Sequence, residues 1–181
     1  MNLAQLTQQL EGENQHPPVE KWHPPFCGDM DIRIKADGTW LYMGTPIGRQ
    51  SLVKLFASVL CKQDEQYFLV TPVEKVRIVV EECPFVITSW QQHPSEQGQI
   101  ISFESNVGDS FVLSDKHPLQ LPTPQQKGPL YLDIHRNMQA VIHRNVYYQL
   151  AEIATLDTQQ GKQYAILQSA QQSYRIGCLD E

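Results

Sequence analysis

Residues 31–42 read Asp31-Ile32-Arg33-Ile34-Lys35-Ala36-Asp37-Gly38-Thr39-Trp40-Leu41-Tyr42. Ile32 and Ile34 alternate with charged residues, Asp37-Gly38 supplies turn chemistry, and Trp40 and Tyr42 share one face of a second strand, so the stretch predicts a β-hairpin. Later in the chain the same phases return. Leu132 and Ile134 match Ile32 and Ile34 at an offset of 100, Asn137 falls where Asp37 stands, and Val141 matches Leu41. The segments C-terminal to the two hairpins match as well. Leu52, Leu55, Phe56, Val59 and Leu60 lie at i, i+3, i+4, i+7 and i+8 and predict a helix from Arg49, while Val146, Leu150 and Ile153 predict a second helix from about Asn145. Residues 67–71 and 76–80, parted by Pro72-Val73-Glu74-Lys75, form a further hairpin, and Tyr164-Ala165-Ile166-Leu167 with Tyr174-Arg175-Ile176 is its counterpart. The expectation is an α+β protein built on a duplicated β-β-α-β-β motif.

Outward from these copies, Leu3, Leu6 and Leu10 followed by Gly12 predict a short amphipathic helix. Residues 13–25 carry Pro17, Pro18, Pro24 and Pro25 and predict an extended arm. Between the copies, residues 85–90, 99–103 and 111–113 predict an antiparallel meander, and the Pro-rich residues 117–129 predict a surface loop. The expected division is 1–20 for helix and arm, 21–82 for the first repeat, and 83–181 for the second repeat with its extra strands.

The chain has 181 residues, 41% hydrophobic and 19% charged, which fits a cored domain or two small ones and excludes a collagen-like or disordered chain. Its net charge is -6, with all of the excess acidity before Leu113, which excludes a bulk nucleic-acid coat. Residues 1–10 have neither a positive charge nor a continuous apolar run, and no apolar stretch approaches about 18 residues, so neither a secretory signal nor a membrane span is expected. A cytoplasmic location is the expectation. Cys27, Cys61, Cys83 and Cys178 are widely spaced with no C-x-x-C pair, which predicts reduced thiols, not a disulfide framework or zinc ribbon.

Four segments carry candidate chemistry. Gly44-Thr45-Pro46-Ile47-Gly48-Arg49 joins a strand to a helix start, where backbone N–H groups and a guanidinium fork suit a phosphate or carboxylate. It has neither the P-loop ending nor the dinucleotide spacing, and a tight turn with Arg49 paired to an acid is the plainer alternative. Trp22-His23-Pro24-Pro25-Phe26-Cys27-Gly28-Asp29-Met30-Asp31 crowds aromatic, imidazole, thiol and carboxylate groups. His16, His23 and Cys27 form no complete tetrahedral set, so no metal is assigned; the expected arrangement packs Trp22 and Phe26 on a core, uses Asp29 and Asp31 in turn or cap bonds, and buries Cys27 as an inert thiol. The hairpin tip Thr71-Pro72-Val73-Glu74-Lys75 is charged where its counterpart at 168–173 is not. That asymmetry favours function, against a solvated turn with a weak ion pair. His135-Arg136 and His143-Arg144 read either as a basic spot on neighbouring strands or as charges blunting a sheet edge. No nucleophile elbow or catalytic acid–base set is present in the sequence.

The run C-G-D-M-D-I-R-I-K-A-D-G-T-W-L-Y-M-G-T-P-I-G-R from Cys27, with W-H-P ahead and L-V-K-L-F, L-V-T-P-V-E-K-V and E-E-C-P-F behind, resembles the bacterial family known as domain of unknown function 1285. The likeness is dense from Trp22 to Val86 and looser over 132–150. It implies a duplicated α+β core whose C-terminal half is superficially pleckstrin-homology-like. It also implies a binding role without established enzymatic activity, in signal transduction or the oxidative-stress response, with a nucleotide-like ligand between the halves. The matching positions include Asp29, Arg33, Gly44, Arg49, Thr71, Glu74 and Lys75. The expected function is a non-enzymatic ligand-binding or sensory module, with no cofactor. Arg49 and the backbone from Gly44 to Gly48 hold an anion, Arg33, Lys75, Thr71 and Glu74 assist, and Trp22 or Trp40 stacks on a ring. The alternatives are a protein-interaction module, with a signalling protein as partner, and a phosphate-ester hydrolase.

Overall fold

In the computed structural model, which describes residues 5, 7, 10, 17–96, 98–122 and 128–179, the chain forms two compact units. The first is Met1–Pro84 with Arg136–Met138; the second is Phe85–His135 with Gln139–Glu181. Of the predicted N-terminal helix, Gln5, Thr7 and Leu10 are helical and Leu10 is buried, while Leu3, Leu6 and Gly12 lie outside the described residues.

The predicted hairpin opens the first unit as β1 (Phe26–Ile34) and β2 (Trp40–Tyr42), with Ile34 opposite Trp40 and Ile32 opposite Tyr42. Ile32, Ile34 and Trp40 are buried because they share the face that the period-two pattern assigns to the core. In the turn, the Asp37 carboxylate accepts from the Thr39 N–H at 2.9 Å. A two-residue edge strand, β3 (Thr45–Pro46), pairs with β2, an edge being where a proline is tolerated. Helix α1 (Gln50–Ser58) comes next and buries Val53, Phe56 and Ala57, with Phe56 lying 6.4 Å from the Trp40 ring.

The helical pattern read through Leu60 ends sooner. Ser58 donates its hydroxyl back to the Leu55 carbonyl at 2.7 Å, and Leu60 opens β4 (Leu60–Gln63). Val59 and Leu60 satisfy both the helical and the strand period, so the pattern does not separate the two elements. Strands β5 (Gln66–Val70) and β6 (Lys75–Val80) form the second predicted hairpin. Strand β6 then returns to β1 in parallel, giving the sheet order β3-β2-β1-β6-β5-β4. Between Phe26 and Asp29 the parallel register shifts, and Gly28 occupies this bulge at φ +99°, a region that side-chain-bearing residues avoid.

The second unit begins with the predicted meander: β7 (Phe85–Ser95), β8 (Gly98–Ser105) and β9 (Ser110–Val112). The Pro-rich stretch contributes a short edge strand, β10 (Leu119–Gln120), and its residues 123–127 lie outside the described set. Strands β11 (Tyr131–Asp133) and β12 (Gln139–Ile142) complete a sheet of order β10-β11-β12-β7-β8-β9, in which β12 runs parallel to β7. Helix α2 (Arg144–Ile153) buries Val146 and Leu150; its cap is the His143 imidazole, accepting from the Asn145 N–H at 3.3 Å. A separate three-stranded meander ends the unit, β13 (Thr155–Gln159), β14 (Lys162–Ser169) and β15 (Gln172–Cys178).

The order hairpin, helix, hairpin therefore occurs twice, in an α+β architecture of two related parts. Sheet closure differs between them: the hairpin after α1 rejoins its sheet through the parallel β1–β6 pair, whereas the strands after α2 form a sheet of their own. That sheet is tied to the meander by Ser169, fully buried, whose hydroxyl accepts from the Ile101 N–H at 3.0 Å and donates to the Leu113 carbonyl at 2.9 Å. No helix is long and apolar enough to cross a membrane among the described residues.

These packing contacts lead to two measurable outcomes. Ser169→Ala orphans a buried donor and a buried acceptor, so urea unfolding should show a loss of roughly 1–3 kcal/mol. Asp29 faces Arg77 across the β1–β6 ladder in a bidentate pair of 2.7 and 2.8 Å, and the bonds from that guanidinium hold its carboxyl below the usual aspartate value. The pair's contribution is complete above the ordinary aspartate range and is lost as pH falls through the lowered folded value. The difference in urea midpoint between the wild type and Asp29→Asn should therefore be present at pH 7 and disappear in strong acid.

Candidate functional site

Pro17 and Pro18 have no N–H to extend a helix, so the residues after them close a single 3-10 turn, Val19–Lys21. Val19 donates to the Pro17 carbonyl at 2.8 Å, Lys21 to Pro18 at 2.9 Å and Trp22 to Val19 at 3.1 Å. This corrects the expectation of an arm extended throughout 13–25. Residues 11–16 lie outside the described set, 19–21 are a turn with Val19 buried, and only the run after Trp22 is extended.

Between this segment and the edge of the sheet lies a cavity of about 530 Å³, within the range of small-molecule sites. Val19, Glu20, Trp22, His23 and Pro24 form one wall, and Cys61, Lys62 and Gln63 of β4 form another. Val70, Lys75, Arg136 and Asn137 complete it. All belong to the first unit.

Lys62, Lys75, Arg136 and His23 bring basic groups to this cavity, and Glu20 brings a carboxylate. Arg136 donates to the Ser58, Leu60 and Pro17 carbonyls at 2.6, 3.2 and 2.9 Å and pairs with Glu20 at 2.7 Å. Its backbone and that of Asn137 both lie at φ +57°, the left-handed pair that primed hairpin turns require. Lys62 pairs with Glu65 at 2.8 Å and lies 5.8 Å from the Tyr67 ring centroid. Lys75 places its ammonium 4.1 Å from the Phe68 ring centroid and donates to the Gln63 side-chain carbonyl; among the described residues no carboxylate pairs with it. Burial pushes the Cys61 thiol up, against the opposing pull of Lys75 and Arg136, so the cavity wall presents it as a neutral thiol. The buried Cys83 thiol and half-buried Tyr67 phenol are both pushed up to about 12 by desolvation.

Of the residues expected to hold the ligand, Trp22 and Lys75 come together at this cavity, joined there by His23 and Arg136 from the other segments singled out in the sequence. The remaining expected ligand residues stand elsewhere. Arg33 pairs with Glu81 at 3.5 Å. Gly44 and Gly48 flank β3, and the exposed Arg49 precedes α1 as its cap residue without a side-chain cap bond. Thr71 is buried and closes its own turn, its hydroxyl accepting from the Val73 and Glu74 N–H groups. Glu74 is half-buried beside it. Trp40 is 3% exposed against Phe56, so its ring is closed to any stacking ligand.

Further expectations are corrected. Cys27 is exposed, not buried, because the bulges in β1 break the inside–outside alternation before Met30. Phe26 is 55% exposed, resting edge-on against Phe68, and Asp29 serves an ion pair, not a cap. The two His-Arg pairs form no common basic spot: His135 lies among Phe85 and Phe111, Arg136 reaches residues 17–20 and the start of β4, His143 caps α2, and Arg144 bonds Tyr148. Glu20, Cys61, Gln63 and Asn137 were not legible as site residues. One signal was there for Arg136 and Asn137: the second copy lacks the glycine that comes after Asp37 in the first, leaving two side-chain-bearing residues to take the left-handed turn.

Comparison with known proteins adds a family to this geometry. Residues 17–83 match the domain of unknown function (DUF1285), N-terminal domain, and residues 84–176 match the protein of unknown function (DUF1285), C-terminal domain. No curated protein matches. The crystal structure of a DUF1285 family protein from Silicibacter pomeroyi DSS-3 is similar at 33% identity over 97% of this chain and 96% of that one, with a TM-score of 0.82. That of a DUF1285 family protein from Shewanella baltica OS155 is similar at 28% identity over 68% of this chain and 91% of that one, with a TM-score of 0.55. A duplicated α+β chain whose two parts match the two family domains in order belongs to the DUF1285 family.

Proposed function

We propose that this protein is a non-enzymatic, sensory ligand-binding module whose first-unit cavity takes a small, nucleotide-like anion. One observation carries the reading: Lys75, a cation with no carboxylate partner among the described residues, stands on the wall of a cavity large enough for a metabolite. An ammonium has three donors, and with one of them on the Gln63 side chain and the ring of Phe68 beneath it, two remain for an anion. Trp22 supplies an apolar ring for a base to stack on, and Gln63 and Asn137 supply amides that read polar edges. The carboxylate facing this space, Glu20, is paired to Arg136, so the lining favours negative charge although the chain as a whole carries -6.

A protein-interaction role is the second reading. Strand β13 stands at the end of its three-stranded sheet with Leu156 63% exposed, an arrangement to which an extended peptide can add.

Thermal unfolding in the presence of millimolar nucleoside monophosphates tests the first reading, since a ligand that binds the native state raises the midpoint by mass action. At least one member of the panel should raise it. Lys75→Met should weaken that binding about tenfold or more, the loss of a charge-assisted bond, and Arg49→Ala should leave it unchanged. A flat wild-type response across the panel, or a shift lost with Arg49 and retained without Lys75, would overturn the assignment.

A further inference from the structure

The cavity holds a second cation whose position is fixed in a way that Lys75 is not. A guanidinium has five N–H donors in a rigid plane. Three bonds from Arg136 go to backbone carbonyls: Nη1 donates to Ser58 and Leu60, and Nη2 to Pro17. The fourth, from Nε, goes to the Glu20 carboxylate at 2.7 Å. The two partners differ sharply in burial, with 10% of the Arg136 side chain exposed and 64% of that of Glu20. Arg136 cannot swing out without leaving carbonyls of two separate segments, whereas the Glu20 side chain already stands mostly in water. The turn that carries Glu20 is closed by backbone bonds of Val19, Lys21 and Trp22, so the turn does not depend on the pair with Arg136.

We propose that the Nε edge of Arg136 is the anion seat of this cavity, and that Glu20 is its resident occupant, which the phosphoryl group of an incoming ligand displaces. The inference rests on the reading of the cavity as a ligand site and adds how that site is kept closed to weak anions. A carboxylate held on the chain occupies the seat at high effective concentration. A phosphoryl group takes its place because it brings more charge and more acceptor oxygens, and because Lys75 lines the same cavity to meet those oxygens. Glu20 thereby sets a threshold. Chloride or a single carboxylate exchanges one weak pairing for another, while a phosphoryl group engages both cations.

Isothermal titration of the full chain with inorganic pyrophosphate tests this. Glu20→Gln removes the resident anion and keeps the side-chain shape, so it should bind pyrophosphate about fivefold more tightly than the wild type, the top of the surface-pair range because one of the two partners is buried. Glu81→Gln, which removes the same charge from the Arg33 pair outside the cavity, should stay within about twofold of the wild type. Equal tightening in both variants would show a general charge effect and overturn the proposal. Unchanged affinity in Glu20→Gln, with Lys75→Met weakening binding, would overturn the role of Glu20 and leave the cavity reading standing. No binding by either the wild type or Glu20→Gln would overturn both.

Discussion

The first unit depends on the parallel pairing of β1 with β6. Parallel neighbours cannot be joined by a tight turn, so everything between them, strands β2, β3, β4 and β5 with helix α1, is the crossover that this one ladder demands. The ladder also fixes the site. Phe26 stands opposite Lys75, and the Lys75 N–H donates to the Pro25 carbonyl at 3.1 Å, which seats the lysine directly beside the segment carrying Trp22 and His23. Further along the ladder, Asp29 meets Arg77 in the bidentate pair, a check on register: a slip of one residue would turn the two side chains to opposite faces.

How much of this was legible in the sequence depended on distance along the chain. The hairpin at 31–42 and both helices were readable because periodicity and turn chemistry are local, and the repeat was readable because it applies the same local signals twice. The end of α1 was not, since Val59 and Leu60 fit either period. Trp40 illustrates a different failure: an aromatic paired across the hairpin with the buried Ile34 belongs with it inside, and its stacking chemistry is irrelevant once the face is assigned. Lys75 stood out because its hairpin tip is charged where the matching tip is not. The cavity itself was beyond local reasoning, being assembled from residues near 20, 61, 75 and 136 that only the folded chain brings together.

Charge shows the same gap between composition and structure. The excess acidity of the early chain does not make its surface uniformly repellent to anions, because several of its carboxylates are placed against particular cations: Glu81 on Arg33, Asp29 on Arg77, Glu65 on Lys62 and Glu20 on Arg136. Net charge governs long-range attraction, while recognition depends on the pairing pattern, and Lys75 is the lysine of the cavity that this pattern leaves without a carboxylate among the described residues.

The grip of Arg136 on the Ser58 and Leu60 carbonyls has a consequence for solubility. Strand β4 ends the six-stranded sheet, and the outward carbonyls of such a strand are a template on which another chain can grow. A guanidinium bonded to the Leu60 carbonyl, and anchored by a further bond to Ser58 at the end of α1, occupies one acceptor of this edge and sets a charge beside it. The residue that shapes the cavity thus also blunts one edge of its sheet, leaving fewer open acceptors for another strand to pair with.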